Sequence, residues 1–259
     1  MKQKGFTLLE LLIVIGIMSI MAGVMIVGFR GASQRARIAQ GWQFSDSLRA
    51  SLQPYMVAWW SFNETAGVVA KDNYFNQYHS DVNGASWTEG ISNGALSFDG
   101  NDYVVAEADV PENDFTIEMW VKTACTSCGI FHIVGSGTPC VGGHDRHFYL
   151  SSGRLCFRVW QGAAWCVTEP LVNDDVWHHL VLTVKTGLGQ RAYIDSKLVG
   201  TNTYDHSDFD WQTHVVIGHS CDAATDYFTG LIDEVRIYDQ ALPETVIRSN
   251  FKKRLVFQQ

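Results

Sequence analysis

The chain has no cysteine in its first 124 residues and no basic excess, with 19 Lys and Arg against 27 Asp and Glu and a formal net charge of −8. Without that excess a general affinity for nucleic acid is not favoured, because such binding rests on many Lys and Arg neutralising phosphates. Nor is there a nucleophile elbow, a visible pair of catalytic carboxylates, or a second Cys-x-x-Cys beyond Cys125-Thr-Ser-Cys128. Acyl transfer, glycoside cleavage and thioredoxin-like redox chemistry therefore have no sequence support. What is present is 46% apolar residues over 259 positions, enough for a sizeable core in one large domain or two modest ones.

Charge is also missing from Leu11 to Phe29, where Ser19 is the one clearly polar residue. As a helix this run would extend about 28 Å, close to a bilayer's apolar thickness. Lys2 and Lys4 precede it and Arg30, Arg35 and Arg37 follow, so flanking charge alone leaves the orientation open. A secretory signal would have a shorter apolar run ending at a small-residue cleavage site. Neither a signal peptide nor a plain anchor explains Glu10, whose carboxylate would cost about 2 to 3 kcal/mol deep in a bilayer if unpaired.

The segment Lys4-Gly5-Phe6-Thr7-Leu8-Leu9-Glu10-Leu11-Leu12-Ile13 closely resembles the type IV prepilin signal. The resemblance implies that a prepilin peptidase removes residues 1–5 by cutting after Gly5, and that the new amino group of Phe6 is methylated. It implies also that Glu10 pairs with the Phe6 ammonium of a neighbouring subunit, neutralising two charges that are costly in an apolar filament core. Residues 6–53 are then a transmembrane and filament-core helix. Ile38, Trp42, Phe44, Leu48 and Leu52 continue its apolar positions and Pro54 stops it. The implied partners are identical or related pilin subunits, the peptidase and the inner-membrane assembly machinery. The precursor is expected in the cytoplasmic membrane, and the assembled form in an extracellular filament or a periplasmic pseudopilus.

After Pro54 the texture changes to short alternating runs such as Phe115 to Val121, His178 to Val184 and Leu231 to Tyr238, broken by Gly, Asn and Asp. These predict strands in an antiparallel sandwich of jelly-roll type, so the whole chain is α+β by composition, a long N-terminal α-helix followed by an all-β domain. The segments Ala58 to Gly67, Trp87 to Gly100, Asp114 to Val121 and Phe228 to Tyr238 resemble the laminin-G-like, concanavalin A-like lectin superfamily. Trp177-His178-His179 and Ala192 to Val199 fall where that family has a Trp-His-His strand and a hairpin. The resemblance covers about residues 57–250, leaving 251–259 as a basic C-terminal tail.

The resemblance implies calcium at a sandwich edge as a structural cofactor, with Asp72, Asn73 and Asp233 as its ligands; each is also an ordinary turn or strand-end residue. Trp60, Phe62, Trp120 and Trp177 sit in the strand motifs and are predicted to be core. Trp87, Trp160, Trp165 and Trp211 fall in or near predicted loops and are candidates for stacking on a sugar ring. Cys156 and Cys166 lie symmetrically about Gln161 in a predicted hairpin and are expected to form a disulfide. Cys125, Cys128, Cys140 and Cys221 complete the disulfide candidates with no readable connectivity; a zinc site from Cys125, Cys128, Cys140 and His144, or a redox pair, ranks below bridges. The stretch His144-Asp145-Arg146-His147 reads as a polar loop before a strand, and Asp205 to Asp210 as a solvated loop.

These readings give a structural subunit of a type IV pilus-like filament with a lectin-like head that adheres to carbohydrate or protein. A pseudopilin of a type II secretion or DNA-uptake machine is the alternative, and a membrane-tethered glycan-processing enzyme a third reading with less support. No enzyme activity is expected.

Overall fold

The computed structural model describes residues 8, 12, 13, 15–19 and 55–255. The chain divides into two units, Met1–Ser51 and Leu52–Gln259. In the first, the described residues are helical, and Ser19 Oγ donates a hydrogen bond to the Ile15 carbonyl at 2.7 Å. Gly5, Phe6, Glu10 and most of the expected 6–53 helix lie outside the described residues. Among the described residues no helix is long and apolar enough to cross a membrane.

The second unit is built of strands, in chain order β1 (Met56–Trp60), β2 (Val69–Ala70), β3 (Ser80–Asn83), β4 (Ser86–Ser92), β5 (Gly94–Asp99), β6 (Tyr103–Glu107), β7 (Thr116–Lys122) and β8 (Gly129–Val134). Then come β9 (His144–Ser151), β10 (Arg154–Arg158), β11 (Trp165–Cys166), β12 (Trp177–Lys185), β13 (Gly189–Ile194), β14 (Lys197–Asn202), β15 (His214–Ile217) and β16 (Thr229–Tyr238). They form two eight-stranded sheets. The first runs β14-β13-β12-β7-β16-β5-β4 with β1 also on β16, and the second runs β11-β10-β9-β8-β15-β6-β3-β2. Every pairing is antiparallel.

Strand alternation explains why these residues make two facing layers. In β7, Ile117, Met119 and Val121 enter the common core; in β12, Leu180, Leu182 and Val184 do the same; opposite them, β9 and β10 contribute Phe148, Leu150, Leu155 and Phe157. The remaining residues of the same strands must then face outward, yet many of them are buried too. On the first sheet, outward Glu118, Trp120 and His179 are covered by a C-terminal helix, Glu244–Leu255, and Arg236 lies under the Trp59 ring. Phe251 of that helix stacks on Trp120 with ring centroids 5.5 Å apart. The boundary expected at residue 250 falls inside this helix.

Candidate functional site

The outward face of the second sheet carries an unusual set of residues for a sandwich surface. His132 on β8 and His147 and Tyr149 on β9 alternate with core phenylalanines and leucine, and all are buried. Arg158 lies directly opposite His147 across the β9–β10 pair, and Cys156 opposite Tyr149. Two loops close over this face because the Cys140–Cys221 disulfide joins the β8–β9 connection to the segment after β15. A second bridge, Cys156–Cys166, holds β11 to β10, and a third, Cys125–Cys128, closes a turn between β7 and β8. The Cys-based zinc reading is therefore replaced by three disulfides, with no free cysteine among the described residues.

The segment His144 to His147, expected as a polar loop, is the first half of β9 and is largely buried. The cause is an irregular β8–β9 register together with a positive φ of 49° at Arg146, which turns consecutive residues into the interior rather than alternating them. Each buried charge has partners. The Asp145 carboxylate accepts from the Trp160 and Arg146 amides and from Ser207 Oγ, and Arg146 donates to Gln212 Oε1. Gln212 in turn donates to the Val110 carbonyl.

This network fixes the loops that carry an aromatic shelf. Trp160 and Trp211 meet edge to face at 5.7 Å, both pack on Phe209, and Trp211 is 49% exposed. Trp211 Nε1 donates to the Gly142 carbonyl at 3.0 Å. Gly143, at φ 91°, lets the loop pass there, because a Cβ at this position would lie 2.6 Å from the Phe209 ring.

Beside the shelf is a chain of polar contacts. Arg158 Nε is 2.7 Å from Asp222 Oδ2, and Arg158 Nη2 is 3.2 Å from His144 Nδ1. His144 Nδ1 lies 2.9 Å from His147 Nε2, and His147 Nδ1 lies 2.8 Å from Ser220 Oγ. Behind them, His132 and His219 stack at 5.1 Å. Burial pulls the His132 and His147 imidazoles well below their ordinary range, and neighbouring histidines add to it. Burial and then Arg158 lower His144, while burial raises Asp222 against the pull of Arg158. The face thus presents neutral imidazoles, one carboxylate and one guanidinium.

Residues 98–248, more than half of the chain, match the concanavalin A-like lectin/glucanases superfamily. The chain belongs to this superfamily. Residues 1–26 of this concanavalin A-like chain match the prokaryotic N-terminal methylation motif. It is similar to a fimbrial protein of Neisseria meningitidis serogroup A, 31% identical over 83 residues, 31% of this chain and 49% of that one. It is also similar to the type IV major pilin protein PilE of Neisseria gonorrhoeae, 30% identical over 83 residues, 31% of this chain and 50% of that one. The chain spans about half the length of the curated relatives it matches. In fold it is similar to the binding domain of Paraclostridial Mosquitocidal Protein 1, with a TM-score of 0.61 at 14% identity, covering 78% of this chain and 53% of that one. A second fold neighbour is domain 4 of AbnA, an extracellular arabinanase of Geobacillus stearothermophilus solved with arabinotriose. There the TM-score is 0.57 at 17% identity, covering 75% of this chain and 97% of that one.

The residues singled out from the sequence of this concanavalin A-like chain fall in several places. Trp60, Phe62 and Trp120 are buried, but Trp120 lies under the C-terminal helix and not between the sheets, and Trp177, expected in the core, is only half-buried at the start of β12. Trp87 is in β4 with Nε1 donating to the Gly67 carbonyl, and Trp165 is in β11 with Nε1 donating to Gln190 Oε1. Of the four stacking candidates, Trp160 and Trp211 come together. Asp72 is buried and accepts four backbone amides, those of Trp59 and Tyr74 on Oδ1 and of Gln77 and Tyr78 on Oδ2. Asn73 Oδ1 accepts from Ser61 Oγ at 2.9 Å, and Asp233, buried at a bulge of β16, accepts the Ser92 amide. Groups of three or more metal-type side chains do converge among the described residues, but neither Asp72 nor Asp233 is in one. The sequence reading missed Arg158, Ser220 and Asp222 altogether. The legible signal was period two: His132 and His147 alternate with core residues within apolar runs.

Proposed function

We propose that this chain is a subunit of a type IV pilus-like filament whose concanavalin A-like head binds carbohydrate, with binding rather than catalysis as its role. The single observation that carries the head's assignment is the exposed Trp211 beside Trp160, held by the buried Asp145–Arg146–Gln212 network and flanked by Arg158, His144 and Asp222. A sugar ring needs an apolar face to stack on and a few fixed polar groups to orient its hydroxyls, and this rim offers both. The arabinotriose named with the arabinanase domain is in keeping with that chemistry on this fold. Filament membership is supported by the methylation motif at residues 1–26 and by the pilin relatives. The precursor would sit in the cytoplasmic membrane and assemble outward, with pilin subunits, the prepilin peptidase and the assembly machinery as partners.

Two measurements test this reading. Electron microscopy and mass spectrometry of sheared surface material should find filaments containing this chain; its absence from them, with a periplasmic location, would move it to a secretion pseudopilus. The purified full-length chain should bind members of a glycan array, and Trp211→Ala should lose that binding at unchanged melting temperature. Retention of all glycan binding in Trp211→Ala would remove the shelf from the function.

A further inference from the structure

We propose that His144, His147 and Asp222 form a binding site for a divalent transition-metal ion of the zinc type, on the outward face of the second sheet. This site shares His144 and Asp222 with the polar rim of the carbohydrate reading, but its test needs no sugar and reads the ion alone. Its donor atoms are His144 Nδ1, His147 Nε2 and Asp222 Oδ1. They make a triangle whose sides are 2.9 Å between the nitrogens and 3.9 Å from each nitrogen to the oxygen. The nearest point equidistant from all three, in their own plane, lies about 2.1 Å from each, the distance at which zinc takes imidazole nitrogen and carboxylate oxygen.

The surroundings are those of an oriented ligand set. Asp222 Oδ2 is occupied by Arg158 Nε, which leaves Oδ1 for the ion and fixes the carboxylate's rotation. His147 is wholly buried, and its other nitrogen faces Ser220 Oγ. A hydroxyl both donates and accepts, so Ser220 supports either tautomer of that ring. In the metal-free protein Arg158 Nη2 faces His144 Nδ1 at 3.2 Å and can only donate, so the proton between the two imidazoles sits on His147 Nε2, and the ion takes the place of both donors at His144 Nδ1. With the ion bound, His147 carries its proton on Nδ1, donated to Ser220, and both facing nitrogens offer lone pairs. The residues reach the cluster from three places: β9 supplies both histidines, β10 supplies Arg158, and the Cys140–Cys221 bridge tethers the loop bearing Asp222. The His144 side chain is 28% exposed, so solvent or a ligand atom reaches a fourth position from that side.

Two other groupings, His132 with His219 and Cys221, and Cys140 with His219 and Asp226, are weaker because their sulfurs are committed to the Cys140–Cys221 disulfide. Two imidazole ligands select zinc, copper or nickel over calcium and magnesium, which prefer all-oxygen shells.

The test is titration of the full-length chain, without a polyhistidine tag and with its disulfides intact, using zinc chloride against a chromophoric zinc indicator. One equivalent should bind per chain with micromolar or tighter affinity, and excess calcium should not displace it. His144→Ala and Asp222→Asn should each weaken binding at least tenfold, and Ser220→Ala should weaken it by roughly tenfold or more through the lost support of His147. Circular dichroism and the melting curve of each variant check that it folds. Cobalt chloride gives a second readout on the wild-type chain, since cobalt held four-coordinate by two nitrogens, one oxygen and a solvent atom absorbs visible light far more strongly than the octahedral hexahydrated ion. Absence of stoichiometric zinc binding by the folded wild-type chain would overturn the proposal, as would unchanged affinity in folded His144→Ala and Asp222→Asn.

Discussion

Asn250 Nδ2 lies 3.0 and 3.1 Å from the two carboxylate oxygens of Glu118, so a side chain of the C-terminal helix closes a buried acid on the outer face of the first sheet. Glu118 is fully buried and also receives Arg236 Nη1 and Tyr238 Oη, each at 3.0 Å. Burial would raise its pKa, but His179, Arg236 and Asn250 together hold it well below the usual carboxylate range. Removing the acid takes from buried Arg236 one of its two carboxylate partners, leaving Glu234, and takes from Asn250 its acceptor, so Glu118→Ala should destabilise the chain by about 3 to 5 kcal/mol in urea unfolding. Asn250→Ala removes neutral donors only and should cost about 1 to 3 kcal/mol. Equal, small effects in both would show that the helix does not seal this face.

The same carboxylate gives a pH prediction with a definite sign. A depressed folded pKa means that stabilisation is complete above the carboxylate's ordinary value near 4.5 and is lost as pH falls through the acid range. Wild type should therefore lose stability steeply below pH 4.5, and Glu118→Gln should flatten that slope. An identical acid slope in both would contradict it.

His178 works in the opposite direction. Its burial disfavours the imidazolium, but Asp195 at 2.8 Å and Asp174 at 3.0 Å outweigh this and raise its pKa above the ordinary 6.5. Stabilisation from this triad is thus fully present below pH 6.5 and is lost as pH rises through the raised value. The stability difference between wild type and His178→Gln should shrink as pH rises above the ordinary imidazole value of 6.5 and through the raised one. A difference that grows over that interval would refute the assignment.

The core of the sandwich was legible because it obeys a simple rule: Ile117, Met119 and Val121, or Leu180, Leu182 and Val184, recur with period two and need no long-range information. The outer faces were less so. Trp120 and His179 read as ordinary strand residues until Phe251 and Asn250 arrive from more than seventy positions away. His144 and Asp145 read as loop because a bulge, invisible to periodicity, turns successive residues inward. The Cys156–Cys166 facing pair followed from hairpin symmetry, whereas Cys140–Cys221 spans 81 residues and depends on where two loops fold over a sheet.

That difference in span carries its own prediction. If disulfides act mainly on the unfolded chain, closing a loop of 81 residues rather than 10 stabilises by about 2 kcal/mol more, from the logarithmic dependence on loop length. Replacing Cys140 and Cys221 by Ser should therefore lower stability more than replacing Cys156 and Cys166. It should also disorder the shelf and the histidine cluster, which the shorter hairpin bridge does not span. Denaturant midpoints of the two double variants decide the order.

The N-terminal motif predicts chemistry that mass spectrometry reads directly. A chain processed as its residues 1–26 imply should begin at N-methylated Phe6, with residues 1–5 absent. An intact Met1 in assembled material would remove the prepilin reading. Glu10→Ala should leave membrane insertion intact, since it deletes a charge from an apolar segment and so makes insertion easier. Assembly is different, because the Phe6 ammonium of a neighbouring subunit would then enter the filament core with no counter-charge, a penalty of several kcal/mol per subunit repeated along the filament. Filament yield should therefore fall sharply while the membrane pool of processed chain rises. Normal yield from Glu10→Ala, with processing confirmed at Phe6, would show that the ammonium finds another partner and that Glu10 does not set subunit register.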